Sequence, residues 1–272
     1  MPARRPTPSP PDDPLDPAPL VGPGLLAGCE RLAEAASTMD RAREVAADPA
    51  AGLPYAVVAD RQLAGRGQRG ARWWQPPGSL AVSLVVASEQ ASLPPPAWSL
   101  AGGVAVAEAI AALEPSAATV VRWPNDVEVA GRKLAGILVE TAAAGRAIFG
   151  IGVNTTGSAA DAPAAIAARV ATLPDIIGRA VPRQRLLAAV VPRLLALLAD
   201  VARDPAVLAV RYRPLCCLTG RTVTVHVGGT AIEGVCRGIA ADGRLVIDTA
   251  AGRELIASGS LTPPADVWRG ES

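Results

Sequence analysis

Six residues, Gly65-Arg66-Gly67-Gln68-Arg69-Gly70, constrain this chain more than any other stretch. Tyr55 to Ala59 precedes them as an apolar run that reads as a short buried strand. Arg72-Trp73-Trp74 follows, and Pro76, Pro77 and Gly78 close the segment. Three glycines interleaved with arginines make a loop able to turn several backbone N–H groups toward one anion. The guanidiniums add paired donors for a carboxylate or phosphate. The loop formally matches the dinucleotide fingerprint, which needs a helix opening at its third glycine. Trp73, Trp74, Pro76 and Pro77 are a poor helix start, so that reading is set aside. A solvated Gly/Arg loop is the plainer alternative to a cover over an anionic ligand, and the rest of the chain must decide between them.

At 272 residues and 50% hydrophobic, the chain can bury one large core, or a core plus a small module. Its net charge of +1 supplies no global basic field for nucleic acid or membrane. No apolar run reads as long and charge-free enough to span a bilayer, and no signal segment opens the chain. Cys29, Cys216, Cys217 and Cys236 lack C-x-x-C spacing and metal-ligand clustering, which fits buried thiols in a reducing cytoplasm. Arginine carries nearly all the basic charge: Lys133 is the only lysine, and Asn125 and Asn154 are the only asparagines. In a chain so rich in Arg and Ala, a surviving lysine is a candidate for work a guanidinium cannot do. An ammonium is a compact point charge and fits between two oxyanions, where a flat fork does not.

Read in order, residues 1–28 are proline-rich with little apolar period, and suggest a disordered or polyproline-like tail. Cys29 to Ala36 suggests a first strand. Ser37 caps a helix running to Ala47, with Asp40 favourable in its first turn. Gln62 stands at the end of the strand that began at Tyr55, where its amide can meet a neutral amide-like or ureido group. Ser79 to Ser88 reads as a central strand, and Trp98 to Leu113 as a helix of small residues in which Gly102-Gly103 is a local cost. A strand at 119–122 leads into Trp123-Pro124-Asn125-Asp126. A hairpin over 127–140 then turns at Gly131-Arg132 and brings Asn125, Asp126 and Lys133 to one end of the sheet. Gly136 lets a backbone or ligand approach closely. Phe149 to Asn154 is a further strand with glycines at alternate positions. Helices are expected near 163–170, 182–201 and 204–212. After Pro214 the period switches to two, with Gly-Gly and Asp-Gly turns, which suggests a small SH3-like barrel over 215–268. His226, the only histidine, lies in one of its strands and suits a structural role.

Arg66, Arg69, Asn125, Asp126, Lys133 and Asn154 thus gather at strand ends of one sheet. The sequence offers no Ser-His-Asp or Cys-His set and no metal-ligand cluster. The set is cationic and hydrogen-bonding, which suits joining two anions. Two unit charges about 4 Å apart repel by about 4 kcal/mol at an effective dielectric near 20. A lysine and an arginine loop lower that barrier by electrostatics and positioning, and loop closure excludes water from a reactive anhydride.

In this order, Gly65-Arg66-Gly67-x-x-Gly70 with Trp73, Arg122-Trp-Pro-Asn-Asp126, Lys133-Leu-Ala-Gly-Ile-Leu138 and Gly152-Val-Asn154 resemble the biotin protein ligases. Ser37-Thr38 falls where that family has Ser-Thr-Asn. The resemblance spans about 29–262. It implies an α+β fold, a catalytic domain over 29–214 related to class II aminoacyl-tRNA synthetases, with a mixed sheet flanked by helices, plus the terminal barrel. It implies biotin, ATP and Mg2+ as ligands, and two steps: formation of biotinoyl-AMP with release of pyrophosphate, then transfer to a lysine of a biotin carboxyl carrier domain. It further implies that Ser37, Thr38, Met39 and Gln62 hold the biotin ring, and that Gly65, Arg66, Gly67, Gln68, Lys133 and Gly136 line its acid end. Trp73, Asn125 and Asn154, with Arg66 and Lys133, would serve the nucleotide. Lys133, Arg66, Arg69 and Asp126 would carry the chemistry. Three positions depart from the family pattern. Gln68 replaces a second loop arginine, which puts retention of the adenylate in question. Met39 replaces the asparagine after Ser-Thr, and Arg122 replaces a lysine. A lipoate ligase of the same fold and a non-catalytic biotin-binding protein stay open as alternatives. No operator binding and no membrane are expected, and the chain is expected to be a cytoplasmic monomer or weak homodimer.

Overall fold

Seven stretches rich in Val, Ile and Ala pair into one mixed sheet in the computed structural model, which describes residues 13–87, 95–142 and 145–262, with the backbone only at Arg69 and Pro95. The strands are β1 (Gly28–Ala35), β2 (Tyr55–Gln62), β3 (Leu80–Ala87), β4 (Thr119–Arg122), β5 (Asp126–Val129), β6 (Arg132–Ala142) and β7 (Arg146–Val153). Their order is β1-β2-β3-β7-β6-β5-β4. β1 and β2 run parallel and every other pair is antiparallel.

β3 explains why the apolar run at 80–87 is nearly continuous. Leu80, Val82, Leu84 and Val86 face the main core, while Val85 meets Met39, Val45 and Ile148 in a second cluster on the opposite face. A strand covered on both sides has no polar face to alternate with. Helix α1 (Thr38–Ala47) covers one face. Helix α2 (Pro95–Leu113) covers the other, backed by α5 (Arg183–Arg203) and α6 (Ala206–Tyr212). The expected cost of Gly102-Gly103 has a packing reason. A Cβ on Gly102 would lie 2.9 Å from Ile137 Cγ2, and one on Gly103 would lie 3.1 Å from Val121 Cγ1. The helix sits flush on β4 and β6 because those two residues have no side chain. Along α5, Leu186, Leu187, Val190, Leu194, Leu197 and Leu198 are all buried, as their helical spacing demands.

Two expectations change here. A tail over 1–28 does not hold from residue 13 onward; its first twelve residues lie outside the described set. Leu15, Leu20 and Leu26 are buried in the main core, and Asp13 pairs at 3.1 Å with the buried Arg183. Three leucines spread among prolines pack one by one from a short 3-10 turn (Ala18–Leu20) and the irregular chain around it, so no helix or strand period announces them. Each buried leucine contributes about 1.5–3 kcal/mol. The second correction concerns membranes. The segment Pro96–Leu113 is long and apolar enough to cross one by length and composition, but 72% of it is buried inside the protein, which marks it as a core helix. The sequence reading also missed α4 (Leu173–Ile177), which follows the short α3 (Ala164–Ala167).

Five further strands, β8 (Thr222–Val227), β9 (Thr230–Ile239), β10 (Leu245–Thr249), β11 (Gly252–Ile256) and β12 (Ser260–Thr262), form an antiparallel sheet in the order β11-β10-β9-β8-β12. His226 sits on β8 within it, opposite Ala231 and Ser260. This module docks on the end of β4 and the turn after it that carries Trp123. The Trp123 indole N–H donates to the Gly243 carbonyl at 3.1 Å, and Arg122 donates to the Leu261 carbonyl at 3.0 Å. Gly243 (φ +80°) passes so close to α2 that a Cβ would lie 2.6 Å from the Ala97 backbone.

Candidate active site

Strand ends, the start of α1 and the glycine loop enclose one cavity of about 250 Å³. Its floor is open because three strand residues lack side chains. Gly136 and Gly152 pair across β6 and β7, with Gly150 two residues away. A Cβ on Gly152 would lie 2.7 Å from Trp73 Nε1, and one on Gly150 would lie 2.6 Å from Met39 Sδ. The glycines at alternate positions, visible in the sequence, are what let Trp73 and Met39 lie against the sheet.

One end of the cavity is neutral and hydrogen-bonded. Ser37 caps α1: its hydroxyl oxygen accepts from the Met39 N–H at 3.3 Å. Gln62 Oε1 accepts from the Thr38 backbone N–H at 2.9 Å and from the Thr38 hydroxyl at 3.2 Å. The buried Ser83 hydroxyl donates to Thr38 Oγ1 at 2.8 Å. These acceptor roles leave the Ser37 O–H hydrogen as a donor, and the Gln62 NH2 group, which gives one N–H to Gln75 Oε1 at 2.8 Å, has its other N–H left. The end that Ser37, Thr38 and Gln62 build is therefore set to receive a carbonyl oxygen.

The other end is cationic. The loop is folded on itself: the Gly67 N–H donates to the Ala71 carbonyl at 2.7 Å, and the Trp73 N–H to the Gly65 carbonyl at 2.9 Å. Arg66 reaches Asp40 in the first turn of α1 at 2.7 Å, and Arg43 holds the same carboxylate oxygen at 2.6 Å. Lys133 Nζ lies 2.5 Å from Asp126 Oδ1 and 5.1 Å from the centre of the Trp73 ring. The ion pair is close, but Oδ1 is buried with no well-directed donor. Asn125 is locked at both ends: its side-chain N–H donates to the Ile137 carbonyl at 2.9 Å, and its own carbonyl accepts from the Ile137 N–H at 3.0 Å. Behind this wall, burial pushes the Glu128 carboxyl above its ordinary 4.5, against the opposing pull of Arg122 at 3.4 Å.

Of the residues expected at the site, Ser37, Thr38, Met39, Gln62, Arg66, Gly67, Gln68, Trp73, Asn125, Asp126, Lys133 and Gly136 all line the cavity. Gly65 sits behind it, where a Cβ would lie 3.1 Å from the Trp73 carbonyl. Asn154 is not brought to the cavity. It is fully buried, donates to the Ala171 carbonyl at 3.0 Å, and through its own carbonyl accepts from the Leu173 N–H at 2.9 Å. Asn154 holds the chain after β7 against the entry to α4. The side chain of Arg69 lies outside the described residues. Sequence reasoning missed Ser83, Gln75 and the contact that Asp40 makes with Arg66, because none falls at a strand end or in a motif. Among the described residues, no group of three or more His, Cys, Asp or Glu side chains is placed to hold a metal.

Both the sequence and the fold are similar to those of known proteins. Residues 36–155 fit the Biotin/lipoate A/B protein ligase family, and residues 218–260 fit the Biotin protein ligase C terminal domain. A biotin–[acetyl-CoA-carboxylase] ligase of Mycobacterium tuberculosis is 32% identical over 251 residues, covering 89% of this chain and 91% of its own. One from Paracoccus denitrificans is 30% identical, covering 79% and 90%. The structure is similar to that of a biotin protein ligase from Aquifex aeolicus in complex with biotin and ATP. There the TM-score is 0.76 and the identity 27%, over 86% of this chain and 97% of that one.

Proposed function

The chain belongs to the biotin protein ligase family, and from that premise we propose that it joins biotin to AMP and then passes the biotinoyl group to a lysine of a biotin carboxyl carrier domain in an acyl-CoA carboxylase. One observation carries this reading. The donors that suit a ureido carbonyl and the chain's only lysine line one cavity.

Ser37 O–H and Gln62 NH2 converge on the ureido oxygen of biotin, while Met39 and Trp73 supply apolar walls. Lys133 lies where the biotin carboxylate meets the α-phosphate of ATP. There its charge offsets the repulsion between nucleophile and electrophile, and its compact head sits between two oxygens. Arg66 and the loop N–H groups close over the same oxygens and keep water from the mixed anhydride. The carboxylate displaces pyrophosphate from the α-phosphate. In the second step the carrier lysine attacks the biotinoyl carbonyl and AMP leaves. Asp126, already paired with Lys133, is the carboxylate placed to take a proton from that incoming amine. Magnesium would come with ATP and shield its phosphates, and Asp126, the carboxylate lining the cavity, would be the residue to hold it.

The test is ATP-dependent transfer of labelled biotin to a purified carrier domain, with lipoate as competitor. Wild type should label the domain and release pyrophosphate only when biotin is present. Lys133→Ala should lower the rate by about 10²–10³-fold, the usual cost of removing one transition-state donor. Labelling by lipoate in place of biotin, or full activity in Lys133→Ala, would overturn the reading.

A further inference from the structure

Gln75 does not line the cavity, yet the structure ties it to the residue that does. The Thr38 backbone N–H can only donate, so the Gln62 atom facing it at 2.9 Å is Oε1. The Gln62 NH2 group therefore points the other way, where it donates to Gln75 Oε1 at 2.8 Å. Ser83, Thr38, Gln62 and Gln75 form a chain in which each member donates to the next, from β3 across α1 and β2 to the segment after Trp73-Trp74. All four are at least partly buried. A carboxamide held at its oxygen alone can still swing about its last torsion, which is broad in glutamine. Held at both ends, it cannot.

We propose that Gln75 is a positioning residue for Gln62: it takes one N–H of the carboxamide and so aims the other at the ligand's carbonyl oxygen. The inference rests on the reading of Gln62 as a biotin contact. It adds a specificity determinant located beyond the glycine loop. Because Gln75 follows that loop directly in the chain, it also joins the loop's far anchor to the neutral end of the cavity. Ring recognition is made equally in ground and transition states, so the effect should fall on biotin binding and leave the chemical step alone.

The experiment uses the full chain and reads the equilibrium Kd for biotin, KM for biotin and for ATP, and kcat, with a thermal melt for each variant. Gln75→Leu should weaken biotin binding about five- to tenfold, as for loss of one neutral hydrogen bond, with kcat and the KM for ATP within about twofold. Gln75→Glu keeps an acceptor at that position and should stay within about threefold of wild type. Gln75→Ser, too short to reach, repeats the loss if the leucine variant folds poorly. In a Gln62→Ala background, Gln75→Leu should add nothing further. If Gln62→Ala leaves biotin binding unchanged, the biotin contact itself fails, and this proposal with it. If Gln62→Ala weakens binding while Gln75→Leu does not, or lowers kcat and both KM terms alike, or if Gln75→Glu is as weak as Gln75→Leu, only the role of Gln75 is overturned.

Discussion

The two ends of the cavity are built on different principles. At the neutral end, Ser37 and Thr38 are buried; Ser37 accepts from the Met39 N–H and Gln62 from the Thr38 N–H, so backbone N–H groups fix the direction of both bonds. At the cationic end, Arg66 is about half exposed, and both Arg66 and Lys133 lean on the chain's own carboxylates, Asp40 and Asp126. Under the proposed function, each suits a different part of the ligands. A neutral ring is recognised by pre-set hydrogen bonds that cost nothing to rearrange. An anion is recognised by charges that must be kept satisfied until it arrives, and a carboxylate of the protein is the closest stand-in for one from the ligand. The first end is held by hydrogen bonds within the chain, and the second by ion pairs that a bound anion would have to replace.

Lys133→Arg tests the contrast most severely. If charge alone mattered it would be tolerated; because a planar fork does not replace a point charge between two oxyanions, adenylate formation should fall by about 10²-fold in a pyrophosphate-release assay, with biotin affinity held within about threefold. Gln68→Arg comes next. It adds a guanidinium to the loop and should slow escape of free biotinoyl-AMP about fivefold, measured by chase with unlabelled biotin. An unchanged escape rate would mean the loop already retains the intermediate without that charge. Asp40→Asn should have a smaller effect of the opposite sense to a normal loss. With its parking place removed, Arg66 is free for the ligand, and ATP should bind about twofold tighter, in line with a part-exposed ion pair. Weaker binding would mean that Asp40 aims Arg66 rather than holding it back.

The smallest effect concerns Glu128, behind the cationic wall. Burial raises its folded carboxyl above 4.5, so the folded chain holds that proton more tightly than the unfolded chain does. Its contribution to stability is present below 4.5 and is lost as pH rises through the folded value. Relative to Glu128→Gln, wild type should therefore melt progressively lower as pH is raised from 4.5, and a difference in melting temperature that is flat with pH would show that Arg122 fully compensates the burial.

Much of the cationic end was legible in the sequence, because motifs fix it locally. Gly65–Gly70, Trp123–Asp126 and the lone Lys133 each sit on a strand end or turn whose chemistry is set by neighbouring residues, and a hairpin of short span brings Lys133 to Asp126. The neutral end was half legible. Ser37 as a cap and Gln62 at a strand end could be seen, but their direction of hydrogen bonding could not. That is set by the Met39 and Thr38 backbone N–H groups, and completed by Ser83 and Gln75, which lie 45 residues from Thr38 and 13 from Gln62. Asn154 misled for the same reason. Its rarity marked it as special, and it is, but its partners Ala171 and Leu173 make it a staple of the chain rather than a contact of the cavity.

What the sequence determined alone was the set of local conformations and the identity of the charged groups, since caps, turns, strand periods and a single ammonium are properties of short windows. Tertiary structure decided which polar groups are already satisfied and which still have a donor to offer. That is a question of partners, and a partner far away in the chain leaves no mark on the residue it meets. The buried leucines of 13–28 are the apolar counterpart: packing chose them one at a time, where no period existed to foretell it.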